Sequence, residues 1–137
     1  MGSHSTMSYI YLASPYTAYQ KDSKKRKALQ RKRYLEAVDA FGWLLQQGRF
    51  VYSPIVQCHS VVDRQNMATG FDFWQHYDYC MISRSSRFYI LALPGWEESK
   101  GVKGEWAFSR GLGLPCSTIT PTGTPAPAKY VIQSLDF

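Results

Sequence analysis

Apolar residues along the chain fall into short blocks set apart by polar, glycine- or proline-bearing breaks. Tyr9 to Ala13 is a β-rich apolar run closed by Ser14-Pro15. Proline cannot continue a central strand, so a first strand is predicted to run into a loop there. From Lys24 to Gln47, the residues Tyr34, Ala37, Val38, Phe41, Leu44 and Leu45 recur at three- and four-residue spacing, which marks one face of a helix. Gly48 is a natural stop for that helix. Arg49 to Ser53 reads as a second strand ended by Pro54, and the mixed, polar stretch from Ile55 to Gly70 predicts a loop carrying a helical turn.

Helical spacing returns between Phe71 and Ser83, at Phe73, Trp74, Tyr77, Met81 and Ile82. Arg87 to Leu93 is a continuous apolar run of the kind found in strands buried on both faces. After the Pro94-Gly95 break, Ser99 to Gly111 predicts a helix whose core face holds Val102, Trp106 and either Ser109 or Arg110. Pro115 to Thr120 reads as a last strand and Pro121 to Ala128 as irregular chain, while Lys129 to Phe137 has no decisive pattern. This alternation of strands and helices argues for the α/β class. The expected architecture is a single-domain, Rossmann- or flavodoxin-like three-layer sandwich with a central, mostly parallel sheet of about five strands.

The 137 residues suffice for one domain. A chain of that length buries roughly two-thirds of its unfolded surface, enough for a core without disulfides or a metal. Its longest apolar runs are too short to span a bilayer as a helix. Cys58, Cys80 and Cys116 are odd in number and lack zinc-like spacing, which fits a reducing, cytoplasmic setting. Residues 1–6, MGSHST, have no signal-peptide pattern and read as an expression scar ahead of a domain over 7–137. The net charge of +6 is concentrated: Lys21 to Arg33 holds eight basic residues and one acid, leaving 8 basic against 9 acidic residues elsewhere. Such a run suits a phosphorylated partner, and it is also what a solvated helix end looks like.

In parallel sheets, ligands sit outside the carboxyl ends of the strands. That rule selects Ser14 to Thr17, Pro54 to His59, and Pro94 to Glu105. In the last segment, Ser99, Gly101 and Gly104 stand at a predicted helix start, where free amides and the helix dipole favour an anion. Glu105 follows about a turn later, its side chain leaning back toward that start. The same residues also serve a plain helix cap with a favourable charge. Asp78, on the aromatic helix ahead of the buried strand, is placed where burial raises a carboxyl's pKa. Two carboxylates at two strand ends suggest acid and nucleophile roles. His59, His76 and Asp63 match no metal-ligand spacing such as HExxH, and no metal is expected.

Four segments carry a resemblance: Tyr11-Leu-Ala-Ser-Pro-Tyr-Thr17; Val51-Tyr-Ser-Pro-Ile55; Phe73-Trp74 with Asp78; and Leu93-Pro-Gly-Trp-Glu-Glu-Ser99 with Gly101 and Glu105. Together they resemble the nucleoside 2-deoxyribosyltransferase superfamily over about Tyr9 to Thr118. The likeness is to a small bacterial and phage branch of uncharacterised domains, and more distantly to 2′-deoxynucleoside 5′-phosphate N-hydrolases. The resemblance implies that Glu105 is the nucleophile, that Ser99 binds a 5′-phosphate, that Asp78 positions the sugar or protonates the leaving base, and that Tyr11 belongs to the catalytic group. It further implies substrate contacts at Ser14, Pro15, Tyr16, His59, Trp74, Gly95, Trp96 and Gly101, with aromatic rings such as Tyr16, Trp74 and Trp96 available to stack on a base. The chain departs from the pattern at Gln57, where the branch often has histidine, and at Pro15 and Thr17, where the phosphohydrolases carry serine and arginine.

The expected activity is cleavage of the N-glycosidic bond of a (deoxy)nucleoside 5′-monophosphate, releasing free base. Base exchange between nucleosides and non-catalytic nucleotide binding are the alternatives. No metal or organic cofactor is expected. The expected partners are a small nucleoside or nucleotide and further copies of the chain in a homodimer or larger assembly, with neither a membrane nor nucleic acid among them.

Overall fold

The computed structural model describes residues 8–16, 22–65, 67, 71–123 and 129–135, with the backbone alone at Asp63 and Phe71. In chain order the elements are β1 (Ile10–Ala13), α1 (Ser23–Gln46), β2 (Val51–Tyr52), α2 (Pro54–Gln65), α3 (Phe71–Ser83), β3 (Arg87–Leu91), a 3₁₀ turn (Trp96–Glu98), α4 (Lys100–Gly111), β4 (Cys116–Thr122) and β5 (Lys129–Ser134). They build one five-stranded sheet in the order β2-β1-β3-β4-β5. Its first four strands are parallel, and β5 pairs antiparallel with β4. This is the mostly parallel α/β sandwich expected from the alternation of apolar patterns.

The two-residue period of the strands explains why both faces need cover. Ile10 and Leu12 of β1 pack on one face with Ala37, Ala40 and Leu44 of α1 and with Ile55 and Val56 of α2. Tyr11 and Ala13 point the other way, to Ile82 of α3 and Val102 of α4. The sheet thus separates an α1/α2 layer from an α3/α4 layer. At about 1.5 Å per residue, the 24 residues of α1 extend roughly 36 Å, far beyond the roughly 13 Å of a four-residue strand. Its buried residues, Ala37, Ala40 and Leu44, all lie in its second half. The first half, which carries the basic run from Lys24 to Arg33, overshoots the sheet. Because α1 returns from the end of β1 to the start of β2, that half stands at the carboxyl end of the strands.

The structure differs from the sequence reading at several elements. Ile55 to Gly70, expected as a loop with a helical turn, is helical from Pro54 to Gln65. Proline is well suited to a first helical position, and a reciprocal cap starts the helix. The Val56 amide donates to Ser53 Oγ at 3.2 Å, and the Ser53 amide donates to Gln57 Oε1 at 2.7 Å. The second strand shrinks from Arg49–Ser53 to Val51–Tyr52, since Ser53 is taken up by the cap. Lys129–Ser134, undecided by pattern, forms the exposed edge strand β5. Pro121, expected in irregular chain, ends up within β4. It lies past Ile119, the last residue of β4 paired with β3, where a missing N–H costs the central sheet nothing. Residues 124–128 of that expected irregular stretch are outside the described residues. Leu45, Phe73 and Tyr77, placed by spacing on core faces, are 47%, 46% and 41% exposed. On α4 the core position is Ser109 rather than Arg110. Among the described residues, no helix is long and apolar enough to cross a membrane.

Candidate active site

The loops and helix starts that follow β1, β2 and β3 converge between the two helical layers. There they enclose a cleft of about 470 Å³. Of the residues singled out in the sequence, Ser14, Tyr16, His59, Trp74, Asp78, Ser99, Gly101 and Glu105 line it. Tyr11 is fully buried on the face covered by α3 and α4, and its hydroxyl bears on Glu105 from within the core. Three expected contacts do not reach the cleft surface. Pro15 is packed inside the loop after β1. Trp96 turns toward Trp106, their ring centroids 6.0 Å apart. Gly95 uses a positive φ of 87° to make the turn into the 3₁₀ segment, and faces Arg33.

The cleft has two chemically different walls. Asp78 from α3 and Glu105 from α4 stand on one, on the same side of the sheet. Burial pushes the Asp78 carboxyl up to about 6, moderated by its contact with Glu105. Glu105 is raised well above the ordinary carboxyl range. Burial is the main cause, the negative charge of Asp78 adds to it, and the Tyr11 hydroxyl works the other way. Two neighbouring carboxyls in a dry site cannot both ionise easily, so they titrate as a unit. Tyr11 is itself pushed well above the usual phenol value by burial and by the charges of Glu105 and Asp78, which keeps it a hydrogen-bond donor. Its contact with Glu105 falls outside ordinary hydrogen-bond geometry: Tyr11 Oη, Ser14 Oγ and Asp78 Oδ1 are buried polar atoms with no hydrogen-bond partner among the described residues. Buried polar atoms are rarely left so; Ser14 and Asp78 line this cleft, and Tyr11 stands behind Glu105.

The opposite wall comes from the α1/α2 layer. His59 of α2 is held between two tyrosines: its Nδ1 lies 2.5 Å from the Tyr16 hydroxyl, and its ring stacks on Tyr34 of α1 at a centroid distance of 4.5 Å and an angle of 28°. At the rim, Ser99 caps α4 by accepting from the Val102 amide at 3.3 Å. The Lys100 and Gly101 amides, ahead of that cap, have no acceptor among the described residues. A Cβ at Gly101 would meet nothing within 4 Å, so this stretch of backbone is open to an approaching anion. The Ser99 hydroxyl still has its own proton to donate.

Residues 8–120 match the family model described as Domain of unknown function (DUF1937). The chain belongs to this family. No curated protein matches it. The DUF1937 region includes both walls of the cleft and stops short of β5. Within it, the cleft-lining residues Val62, Gln75 and Tyr79 lie outside every segment selected from the sequence, whereas Cys58 and Lys100 fall inside the selected segments Pro54 to His59 and Pro94 to Glu105 without having been singled out. Val62 was missed with α2 itself, since a stretch read as loop presents no face. Tyr79 is placed by tertiary contacts, stacking on Phe108 at 4.0 Å and donating to the Gly104 carbonyl at 3.3 Å. Gln75 is adjacent to Trp74 and three residues before Asp78, and Lys100 is adjacent to Ser99, a proximity that was available as a signal.

Proposed function

We propose that this DUF1937 protein cleaves the N-glycosidic bond of a nucleoside 5′-monophosphate, with water as the preferred acceptor. The observation that carries the reading is the Glu105–Asp78 carboxyl pair lining a cleft of nucleotide size. The resemblance of the surrounding segments to nucleoside 2-deoxyribosyltransferases supports it. Breaking such a bond develops positive charge on the sugar. A carboxylate beside C1′ stabilises that charge and then captures the carbon. Glu105 reacts as the carboxylate, having given its proton to solvent before the step, and the positive charge that builds on the sugar favours that form because it offsets the repulsion that raises its pKa. Tyr11 donates toward the resulting carboxylate. Asp78, on the same wall, accepts from the sugar hydroxyls, and the open Lys100 and Gly101 amides with Ser99 take the 5′-phosphate.

The test is a panel of nucleosides and their 5′-monophosphates, with free base followed by chromatography. The wild type releases base, fastest from monophosphates, and Glu105→Gln binds the same compounds without release. Near-normal turnover by Glu105→Gln removes Glu105 from the mechanism. Binding without base release by the wild type makes the protein a nucleotide binder, and diversion of product by an added free base marks the base-exchange alternative.

A further inference from the structure

A displacement at C1′ has a direction. The nucleophile approaches one face of the sugar, and the base departs from the other. Glu105 and Asp78 both stand on the α3/α4 wall, so the departing base faces the α1/α2 wall. Of the ionisable residues lining the cleft on that wall, Tyr16, Cys58 and His59, the histidine is set by three elements. His59 comes from α2, Tyr16 from the loop after β1 and Tyr34 from α1. Tyr16 occupies Nδ1 and Tyr34 covers one ring face, which leaves the Nε2 edge for the cleft. The partner on one imidazole nitrogen decides what the other can do. With the Tyr16 oxygen accepting from Nδ1–H, Nε2 is the nitrogen that gives and takes a proton.

We propose that His59 is the acid and base on the leaving-group side of this site. The assignment rests on the glycosidic reading above. In the first step the C1′–N bond breaks, its electron pair goes to the base, and the base takes the Nε2 proton of the His59 imidazolium as the Glu105 carboxylate bonds to C1′. The base leaves neutral, and His59 is left neutral with its remaining proton on Nδ1, shared with Tyr16. In the second step water enters the space the base has vacated. Nε2 takes its proton, the oxygen bonds to C1′, and the bond to Glu105 breaks. Carboxylate and imidazolium are both restored. Asp78 is thereby assigned to the sugar rather than to the base.

The experiment compares a purine nucleoside 5′-monophosphate with its N7-methylated counterpart, whose base already carries the positive charge and leaves without a proton. Single-turnover release of base isolates the first step. General-acid help is worth roughly 10² to 10⁴ in rate. His59→Gln is therefore expected to lose at least about 100-fold on the unmethylated nucleotide and to release the methylated base at close to the wild-type rate. Tyr16→Phe, which keeps the ring and removes the Nδ1 partner, shows a smaller loss on the same substrate only. Glu105→Gln loses both. Equal losses on the two substrates, or none on either, overturn the role of His59 while the glycosidic reading stands. A wild type that releases base from neither substrate overturns both. A His59→Gln protein that fails to show the wild-type circular dichroism hands the decision to Tyr16→Phe, whose equal effect on both substrates then overturns the proposal.

Discussion

Glu105 and Asp78 sit where their charge is poorly solvated, and that has a price in stability. Both carboxyls bind a proton more tightly in the folded chain than in the unfolded one, Asp78 up to about 6 and Glu105 beyond the ordinary range. Between the unfolded carboxyl value near 4 and these raised values, the native state therefore holds more protons than the unfolded state. The stability from the protonated pair is fully present below about pH 4 and is lost as pH rises through the folded values. Asp78→Asn is expected to stabilise the protein at pH 7 by up to about 3 kcal/mol, taking about 1.4 kcal/mol per pKa unit over the rise to about 6, and Glu105→Gln to stabilise it in the same direction. The two gains are less than additive, because removing either charge relieves the other. Urea unfolding at pH 7 and pH 4 checks this: the gain is seen at the first and vanishes at the second. A loss of stability at pH 7 in both variants contradicts the burial argument. The pair was legible in the sequence because both residues stand in helices flanking a strand whose carboxyl end faces ligands. The Tyr16–His59–Tyr34 stack was not, since it joins side chains up to 43 positions apart whose meeting depends on how α1 and α2 pack.

At the scale of elements, two serines start two cleft-lining helices. Ser53 caps α2 and Ser99 caps α4, each through its hydroxyl to an amide three residues on. Replacement of either by alanine is expected to cost about 1 kcal/mol of stability, measurable in denaturant. Only Ser99→Ala also reduces the preference for a monophosphate over its nucleoside, because only that hydroxyl faces the proposed phosphate. Equal selectivity in the two variants places the phosphate elsewhere. Ser99 was visible as a helix start because glycines and a 3.6-residue apolar face follow it. Ser53 was hidden because β2 is only two residues long and the residues after Pro54 alternate irregularly. The layer order of the sheet followed from alternation alone, whereas the antiparallel β5 is an exposed edge whose residues answer to β4 rather than to a core.

For the whole molecule, charge has a direction. The basic first half of α1 overshoots the sheet at the end where the cleft opens, and Lys100 lies on the cleft itself. Lys24, Lys25, Lys27, Arg31 and Lys32 are exposed there. Their field reaches an incoming anion through solvent, so salt screens it over about 10 Å at 0.1 M and about 3 Å at 1 M. It acts on encounter more than on the bound complex, as long-range fields do. If it guides substrate, kcat/KM for a 5′-monophosphate falls several-fold between roughly 0.05 and 0.5 M salt, mostly through KM, while the value for the uncharged nucleoside stays level. Replacing Lys24, Lys25 and Lys27 by glutamine flattens the monophosphate curve without changing kcat, because these side chains stand outside the cleft lining. Parallel salt curves for nucleotide and nucleoside restrict the basic run to solvating a helix end. In that case, selectivity for the phosphate comes from Ser99 and the first amides of α4.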